Sequence, residues 1–185
     1  MRNVNKVISG AQTGVDQGAL LFASRNGLLY GGFVPKGFKM EDGAIIDEEI
    51  TTILREMIEL KSSRYAVRTR KNVEAATATL LVSVNGKMGR GTALTKKICE
   101  EINKPYFVVD FMNRAGEFSF PDVALDIENW LVDNDVTTLN VAGSRESKNV
   151  GIQKATYDFL VGLWASGPQS PLEPTSDRYA YFPDR

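Results

Sequence analysis

The sequence predicts an α/β fold in which helices cover both faces of a parallel β-sheet. Short apolar runs alternate along the 185 residues with longer segments whose apolar positions recur every three or four residues. The apolar runs are nearly continuous, which is typical of strands buried on both faces. Three of these runs end in polar, glycine-containing loops directly before a helix, as expected around a parallel sheet.

Five strands and six helices are predicted in alternation, and turn residues mark several of their ends. Asn26-Gly27 ends the first helix, and Pro105 precedes the fourth strand. Pro121 suits a first helical turn, because proline lacks the amide hydrogen that this position leaves unpaired. Residues 57–60 fit either a helix end or a short strand. The predicted strands are 6–9, 28–34, 79–84, 106–110 and 137–142, and the predicted helices are 15–26, 47–55, 62–76, 92–102, 121–132 and 149–164.

Composition and charge restrict the function classes. The chain carries 22 Lys and Arg against 23 Asp and Glu, so no global positive field would attract nucleic acid or an anionic membrane. No apolar run approaches the roughly 20 residues of a membrane-spanning helix. The first residues lead straight into a strand and leave no room for a secretory signal, so we expect a cytoplasmic protein.

Histidine is absent and Cys99 is the only cysteine, which restricts the chemistry. Without histidine, Ser-His-Asp catalysis, Cys-His catalysis and histidine-ligated metals are excluded. A single cysteine excludes an internal disulfide and thiolate metal clusters, and we interpret Cys99 as a buried core residue. No metal site is predicted, and any catalysis must use carboxylates, Lys, Arg, hydroxyls or backbone amides.

The loop after the first strand is the first candidate site. Gly10 and Gly14 bracket a tight turn, where a residue with a Cβ atom would be crowded. Ser9, Gln12 and Thr13 add polar side chains, and the helix that follows directs unpaired amides and its positive dipole end to the same point. This arrangement is typical of an anion or phosphate site. The Walker and GxGxxG spacings are both absent, so a turn that binds nothing is the alternative.

Two further loops of this kind follow the third and fifth strands, at 85–92 and 143–147. The carboxyl ends of parallel strands share one edge of the sheet, where ligands bind at the point of topological reversal. The helix 62–76 also has a half-polar face, whose polar groups must be paired or must point at a ligand. We therefore predict one anion-binding crevice. Its predicted residues are Gly10, Gln12, Thr13, Gly14, Lys36, Arg68, Thr69, Asn72, Gly89, Arg90, Gly91, Thr92, Gly143, Ser144 and Arg145.

The residues beyond the last predicted helix form a separate segment. Residues 166–185 contain four of the seven prolines and cannot form a regular helix. The apolar stretch 179–182 predicts packing on the domain or on a second subunit, and a loose terminus is the alternative. We predict a ligand-binding domain over 1–165, a proline-rich tail over 166–185, and a homodimer or homotetramer.

Five motifs follow one another along the chain. They are Ser9-Gly10-Ala11-Gln12-Thr13-Gly14-Val15-Asp16 with Ala19-Leu20, Gly31-Gly32 through Pro35-Lys36-Gly37 and Glu41-Asp42-Gly43, Tyr65-x-x-Arg68-Thr69-x-x-Asn72-Val73, Gly91-Thr92 with Lys104-Pro105, and Gly143-Ser144-Arg145-x-Ser147 with Gly151-Ile152. As an ordered set, these motifs resemble those of the putative molybdenum carrier family, the circularly permuted YpsA-like branch of a Rossmann-like group. That group also contains the Lonely-guy phosphoribohydrolases, the DNA-processing protein A family and molybdenum cofactor carriers. The resemblance covers residues from about 4 to 160.

The resemblance implies a three-layer, Rossmann-like parallel sheet of five main strands in the order 2-1-5-3-4, numbered along this chain. In the unpermuted relatives the Gly-Ser-Arg loop follows the first strand, whereas here it follows the last. The fifth strand would therefore insert between the first and the third. The loops 9–14, 85–92 and 143–147 would then be direct neighbours around one crevice.

One position departs from the phosphoribohydrolase pattern. Those relatives have a PGGxGTxxE-type loop with a glutamate implicated in catalysis, whereas Thr95 stands at the glutamate position here. This difference argues against cleavage of a sugar–base bond. Asp16, Glu41 and Asp42 are the carboxylates that could substitute, and ordinary helix-start or turn carboxylates are the alternative interpretation.

Three functions are compatible with these residues. The first is a carrier or sensor that binds a nucleotide, the molybdenum cofactor or free molybdate through loop amides, Ser144 and Arg145, with Gln12 and Asn72 facing a base or pterin edge. The second is a hydrolase of a nucleotide derivative with Asp16 or Asp42 as general base. The third is a scaffold with a vestigial crevice.

Overall fold

The computed structural model describes residues 3–41, 44 and 48–166. Apart from Ser166, the predicted tail therefore lies outside the described residues. Strands and helices alternate along most of the chain, and a short 3₁₀ helix (Lys36–Phe38) lies between the third strand and the second α-helix. The elements are β1 (Lys6–Ile8), α1 (Val15–Arg25), β2 (Leu29–Gly31), β3 (Phe33–Val34), α2 (Glu48–Arg55), β4 (Ile58–Glu59), α3 (Tyr65–Ala75), β5 (Ala78–Val84), α4 (Arg90–Glu101), β6 (Tyr106–Arg114), β7 (Glu117–Ser119), α5 (Ala124–Asp133), β8 (Thr138–Ala142) and α6 (Ile152–Ser166).

The main sheet has six strands in the order β2-β1-β8-β5-β6-β7. The first five are parallel, and β7 pairs antiparallel with β6. Leu139 of β8 is the register partner of Val7 in β1 and of Ala78 in β5, so the last strand of the chain lies inside the sheet. The loops that follow β1, β8 and β5 therefore leave one edge of the sheet at neighbouring positions.

The sheet corrects the prediction of five strands. The predicted first to fifth strands correspond to β1, β2, β5, β6 and β8. The observed order differs from the predicted one by β7, which adds a sixth strand at the edge. Only three residues long and exposed at both ends, β7 has no apolar run that would mark it in the sequence.

The predicted strand 28–34 divides into two strands. The first part, β2, stays in the main sheet, whereas β3 pairs with β4 in a separate two-stranded sheet. Gly32 lies at the break with a φ of +126°, and a Cβ atom there would be 2.2 Å from the carbonyl oxygen of Ser9. Residues 57–60 fitted either a helix end or a short strand. The structure shows a strand, because Ile58 and Glu59 form β4 and pair with β3.

The helices cover both faces of the sheet. Buried residues of α1, α5 and α6 share one apolar cluster with Leu80, Val82 and Val84 of β5. Side chains alternate between the faces of a strand, so Leu81 between them points to the opposite face. Residues of α3 and α4, including the buried Cys99, form a separate small cluster. Among the described residues, no helix is both long and apolar enough to cross a membrane.

Candidate functional site

Two of the three predicted loops meet directly. The neighbouring strands β1 and β8 lead into the segments 9–14 and 143–147, which we call the loop junction. The amide of Val15 donates a hydrogen bond to the carbonyl oxygen of Ser144 (3.1 Å). The amide of Glu146 donates to Thr13 Oγ1 (3.4 Å). Gly14 has a φ of +82°, and a Cβ atom there would lie 2.5 Å from the Ser144 carbonyl oxygen. Glycine at this position is therefore required by both conformation and close approach.

The third loop, 85–92, starts at the same edge because β5 is the neighbour of β8. Its described side-chain hydrogen bonds lead to β6, where Asp110 accepts from the amide of Gly86 and Asn113 pairs with Asn85. The helix α4 begins in this loop, and its N-cap residue, Gly89, makes no side-chain capping hydrogen bond. Arg90 is exposed. The loop thus shares the edge with the loop junction, but the two are not joined by these hydrogen bonds.

A buried ion pair lies beside the loop junction. Arg68 of α3 donates from Nη1 to Oδ2 of Asp16 (2.9 Å), and its guanidinium lies directly over Gly10. The same carboxylate oxygen accepts a hydrogen bond from the amide of Gln12 (3.3 Å). Burial raises the pKa of Asp16 above its ordinary value, although Arg68 and the amide act in the opposite direction. The predicted general base is therefore the counter-ion of Arg68 in this structure.

Three cations surround one aromatic ring. The ring of Tyr65, at the start of α3, has Arg145 at 5.4 Å, Lys39 at 5.5 Å and Arg68 at 6.0 Å from its centroid. Tyr65 also donates its hydroxyl to the carbonyl oxygen of Met40 (3.1 Å). We call Lys39, Arg68 and Arg145 the cation cluster. Together with the loop junction it provides the positive charge that an anion site requires.

Two buried donors at the site have no acceptor among the described residues. Gln12 uses Oε1 to accept from the amides of Thr13 (3.1 Å) and Glu41 (3.0 Å). Its Nε2 is buried and has no hydrogen-bond partner among the described residues, and the same is true of Arg68 Nε. Buried polar atoms are normally paired, so both donors are available to an acceptor such as ordered water or a ligand.

Glu41 belongs to neither segment of the loop junction, but its side chain connects the two. Its carboxylate accepts hydrogen bonds from the hydroxyls of Thr13 and Ser147, and a weaker one from the amide of Ser147 (3.4 Å). Partial burial alone would raise the pKa of Glu41, but the two hydroxyls, the amide and the charge of Arg145 outweigh it and lower that pKa. The carboxylate is therefore held as an anion.

Other predicted site residues have different roles or lie apart. Asn72 of α3 uses both ends of its amide on the backbone of Phe33, at 2.8 and 3.0 Å, so it positions β3 instead of facing a base. Gly143 packs against Val15, where a Cβ atom would be 2.6 Å from Cγ2. The remaining predicted residues are Thr69 and Thr92, which are buried, Lys36 and Gly91, which are exposed, and Asp42, which lies outside the described residues.

A cavity of about 650 Å³ is lined by residues of α1 and α6 and by Glu41. Thr13, Glu41 and Ser147 form its boundary with the loop junction, and Gln17 and Tyr157 line its walls. Sequence reasoning missed the last two residues, because each fits an ordinary helix position. The described residues contain no group of three or more His, Cys, Asp or Glu that could hold a metal ion.

Comparisons with known proteins agree on one family. A family model described as the circularly permutated YpsA SLOG family matches residues 7–164. A crystal structure of a protein from Syntrophus aciditrophicus SB, named a putative molybdenum carrier protein, is similar with a TM-score of 0.74 and 35% sequence identity. The match covers 87% of this chain and 95% of that one. No curated protein matches the sequence.

Proposed function

The chain belongs to the circularly permutated YpsA SLOG family, and from this premise we propose that it is a carrier-type protein that binds a small phosphate-bearing ligand or an oxyanion. The binding site is the loop junction together with the cation cluster. The start of α4, from Gly89 to Thr92, completes the site on the same edge of the sheet.

The observation that carries this proposal is the pair of buried donors, Gln12 Nε2 and Arg68 Nε. A buried donor without an acceptor costs about 1–3 kcal/mol, so two such donors, one on the first loop and one on α3, favour a ligand with acceptor oxygens. Asp16 links the two residues, because it pairs with Arg68 and accepts from the Gln12 amide. The ionised oxygens of phosphate and molybdate accept hydrogen bonds and match this set.

The class of ligand is inferred from the positive charge of the cation cluster and from the name of a similar protein. The cation cluster suits any compact oxyanion, whether a free molybdate, the phosphate of a nucleotide or the pterin phosphate of the molybdenum cofactor. The similar protein from Syntrophus aciditrophicus is named a molybdenum carrier, which supports a molybdenum-containing ligand. Nucleotides are the second class to test.

Arg145→Ala tests the proposal. A ligand at 100 times its Kd stabilises a protein by about 2.7 kcal/mol, which raises the Tm of a chain of this size by roughly 5–10 °C. We expect such shifts for the unmodified chain with molybdate, a mononucleotide or a pterin phosphate, measured by differential scanning fluorimetry. Arg145→Ala should weaken binding about tenfold or more, because it removes a charge that can donate two hydrogen bonds.

Arg114→Ala is the matched control, since Arg114 is an exposed arginine in β6. It changes the net charge equally and should leave binding unchanged. If none of the three ligands shifts the Tm, or if Arg145→Ala binds as tightly as the unmodified chain, the proposed site is wrong.

A hydrolase is the second candidate, and the raised pKa of Asp16 is the observation that favours it. The ion pair with Arg68 opposes it, because a general base must be free to accept a proton. Incubation with nucleotides followed by product analysis separates the two functions. Unchanged nucleotide at high protein concentration would eliminate the hydrolase.

A further inference from the structure

We propose that the Glu41 carboxylate is an internal competitor for the anion site, one that an incoming oxyanion must displace. The inference rests on the proposed function, since it requires that an oxyanion binds at the loop junction. It adds that three of the donors for this anion, the hydroxyls of Thr13 and Ser147 and the amide of Ser147, are already held by the protein's own carboxylate.

The contacts of Glu41 are those expected of a bound anion. Each carboxylate oxygen accepts from a hydroxyl, one of them also accepts from a backbone amide, and Arg145 attracts the charge. Two oxygens that share a negative charge resemble one face of a phosphate or molybdate, so donors that stabilise the first also stabilise the second.

The donors belong to the loop junction and not to the segment that carries Glu41. Thr13 follows β1 and Ser147 follows β8, and Thr13 Oγ1 is fixed independently by the Glu146 amide (3.4 Å). Glu41 is anchored through its backbone, because its amide donates to Gln12 Oε1 (3.0 Å). Removal of the Glu41 carboxylate would therefore leave Thr13 Oγ1 held by the Glu146 amide.

The structure also provides room for a displaced carboxylate. Glu41 lines the 650 Å³ cavity as well as the loop junction. Rotation about its side-chain torsions, between staggered rotamers, would move the carboxylate into the cavity without any change in the backbone. An oxyanion can thus replace the carboxylate while the loop junction keeps its shape.

Competition of this kind lowers the apparent affinity, because a ligand binds only the fraction of molecules whose site is free. The charge-assisted hydrogen bonds that hold Glu41 must be broken first. We therefore expect Glu41→Gln, which removes the charge and weakens these bonds, to bind oxyanions about tenfold more tightly than the unmodified chain.

Isothermal titration calorimetry with inorganic phosphate and with molybdate at pH 7.5 tests the inference. The matched control is Glu56→Gln, which removes an equal charge from an exposed residue after α2. Glu56→Gln should leave the affinity unchanged, so a gain confined to Glu41→Gln reports a local competitor and not the net charge. Thr13→Val, which removes a shared donor, should weaken binding in the Glu41→Gln background as well.

The outcomes separate the two proposals. Tighter binding by Glu41→Gln, or binding by this variant alone, supports the competitor. Equal or weaker binding by Glu41→Gln than by the unmodified chain overturns it while the proposed function stands. If neither protein binds either probe, a mononucleotide or a pterin phosphate, the proposed function fails and the inference fails with it.

Discussion

The two glycine-rich loops, 9–14 and 85–92, follow the same sequence pattern but differ in their surroundings. Cβ atoms added at Gly10 and Gly14 would lie 1.6 and 2.5 Å from atoms of Arg68 and Ser144. Cβ atoms added at Gly86, Gly89 and Gly91 would meet nothing within 4 Å. Glycine in the first loop therefore permits close packing within the protein, whereas in the second loop it leaves space at the surface.

Backbone hydrogen bonds differ in the same way. In the first loop, the amides of Gln12 and Thr13 donate to side chains of the same loop and helix, and the amide of Val15 donates to Ser144. The sequence predicted that these amides would face a phosphate, but the structure gives them acceptors within the protein. The amides of these three residues are therefore already paired within the protein.

Gly14→Ala is expected to have the largest effect on stability. Its backbone conformation is strained for alanine, and the added methyl group would meet the Ser144 carbonyl oxygen at 2.5 Å. The two costs together predict a loss of about 4 kcal/mol in the free energy of unfolding. Urea denaturation followed by circular dichroism would measure it.

Gly86→Ala is the control from the other loop, with a φ of +70° and open space around the Cβ position. Only the conformational cost remains, so we expect a loss of about 1 kcal/mol. Equal losses for the two variants would show that close approach does not distinguish the loops.

Arg68→Met is expected to rank second, at about 3 kcal/mol, because it leaves the Asp16 carboxylate buried without its partner. The loss should grow with pH. Burial raises the pKa of Asp16 in the folded chain, so ionisation above its ordinary value of 3.8 favours the unfolded chain, and removal of Arg68 strengthens this effect. Unfolding measured at pH 5 and pH 8 would show the difference.

Two further variants isolate the ion pair. Arg70→Met, which breaks an exposed pair with Glu101, should cost less than about 1 kcal/mol at either pH. Adding Asp16→Asn to Arg68→Met should restore part of the stability and remove the pH dependence. A loss that is the same at both pH values and in the double variant would contradict a buried charge.

The parallel sheet and its loop edge could be predicted from the sequence because they depend on local signals, namely apolar runs that end in polar loops. The family resemblance added the insertion of the last strand between β1 and β5. The edge strand β7 was missed because three half-exposed residues carry no such signal. Residues 167–185 lie outside the described part of the chain, so the packing of the tail remains a prediction. The cytoplasmic location and the homo-oligomer also remain predictions, because the structure of a single chain tests neither.

The site was harder to predict than the fold, because its chemistry depends on pairs that are distant in sequence. Asp16 and Arg68 are both in recognised motifs, yet only their contact shows that each neutralises the other. Glu41 was one of three candidate carboxylates, and nothing local indicates that Ser147, 106 residues away, holds it. Asn72 is also a predicted ligand contact, and its hydrogen bond with the backbone of Phe33 is likewise long-range.

Gly91→Ala should have the smallest effect on stability and the opposite sign. Gly91 lies in the first turn of α4 with ordinary helical surroundings and open space at the Cβ position. Alanine in a helix is favoured over glycine by about 0.5–1 kcal/mol, so the variant should be more stable.

If the start of α4 completes the anion site, the methyl group added in Gly91→Ala should also weaken ligand binding. The control is Gly162→Ala in α6, where a Cβ atom likewise meets nothing within 4 Å and binding should not change. A Gly91→Ala variant that is stabilised and binds normally would confine the site to the loop junction and the cation cluster.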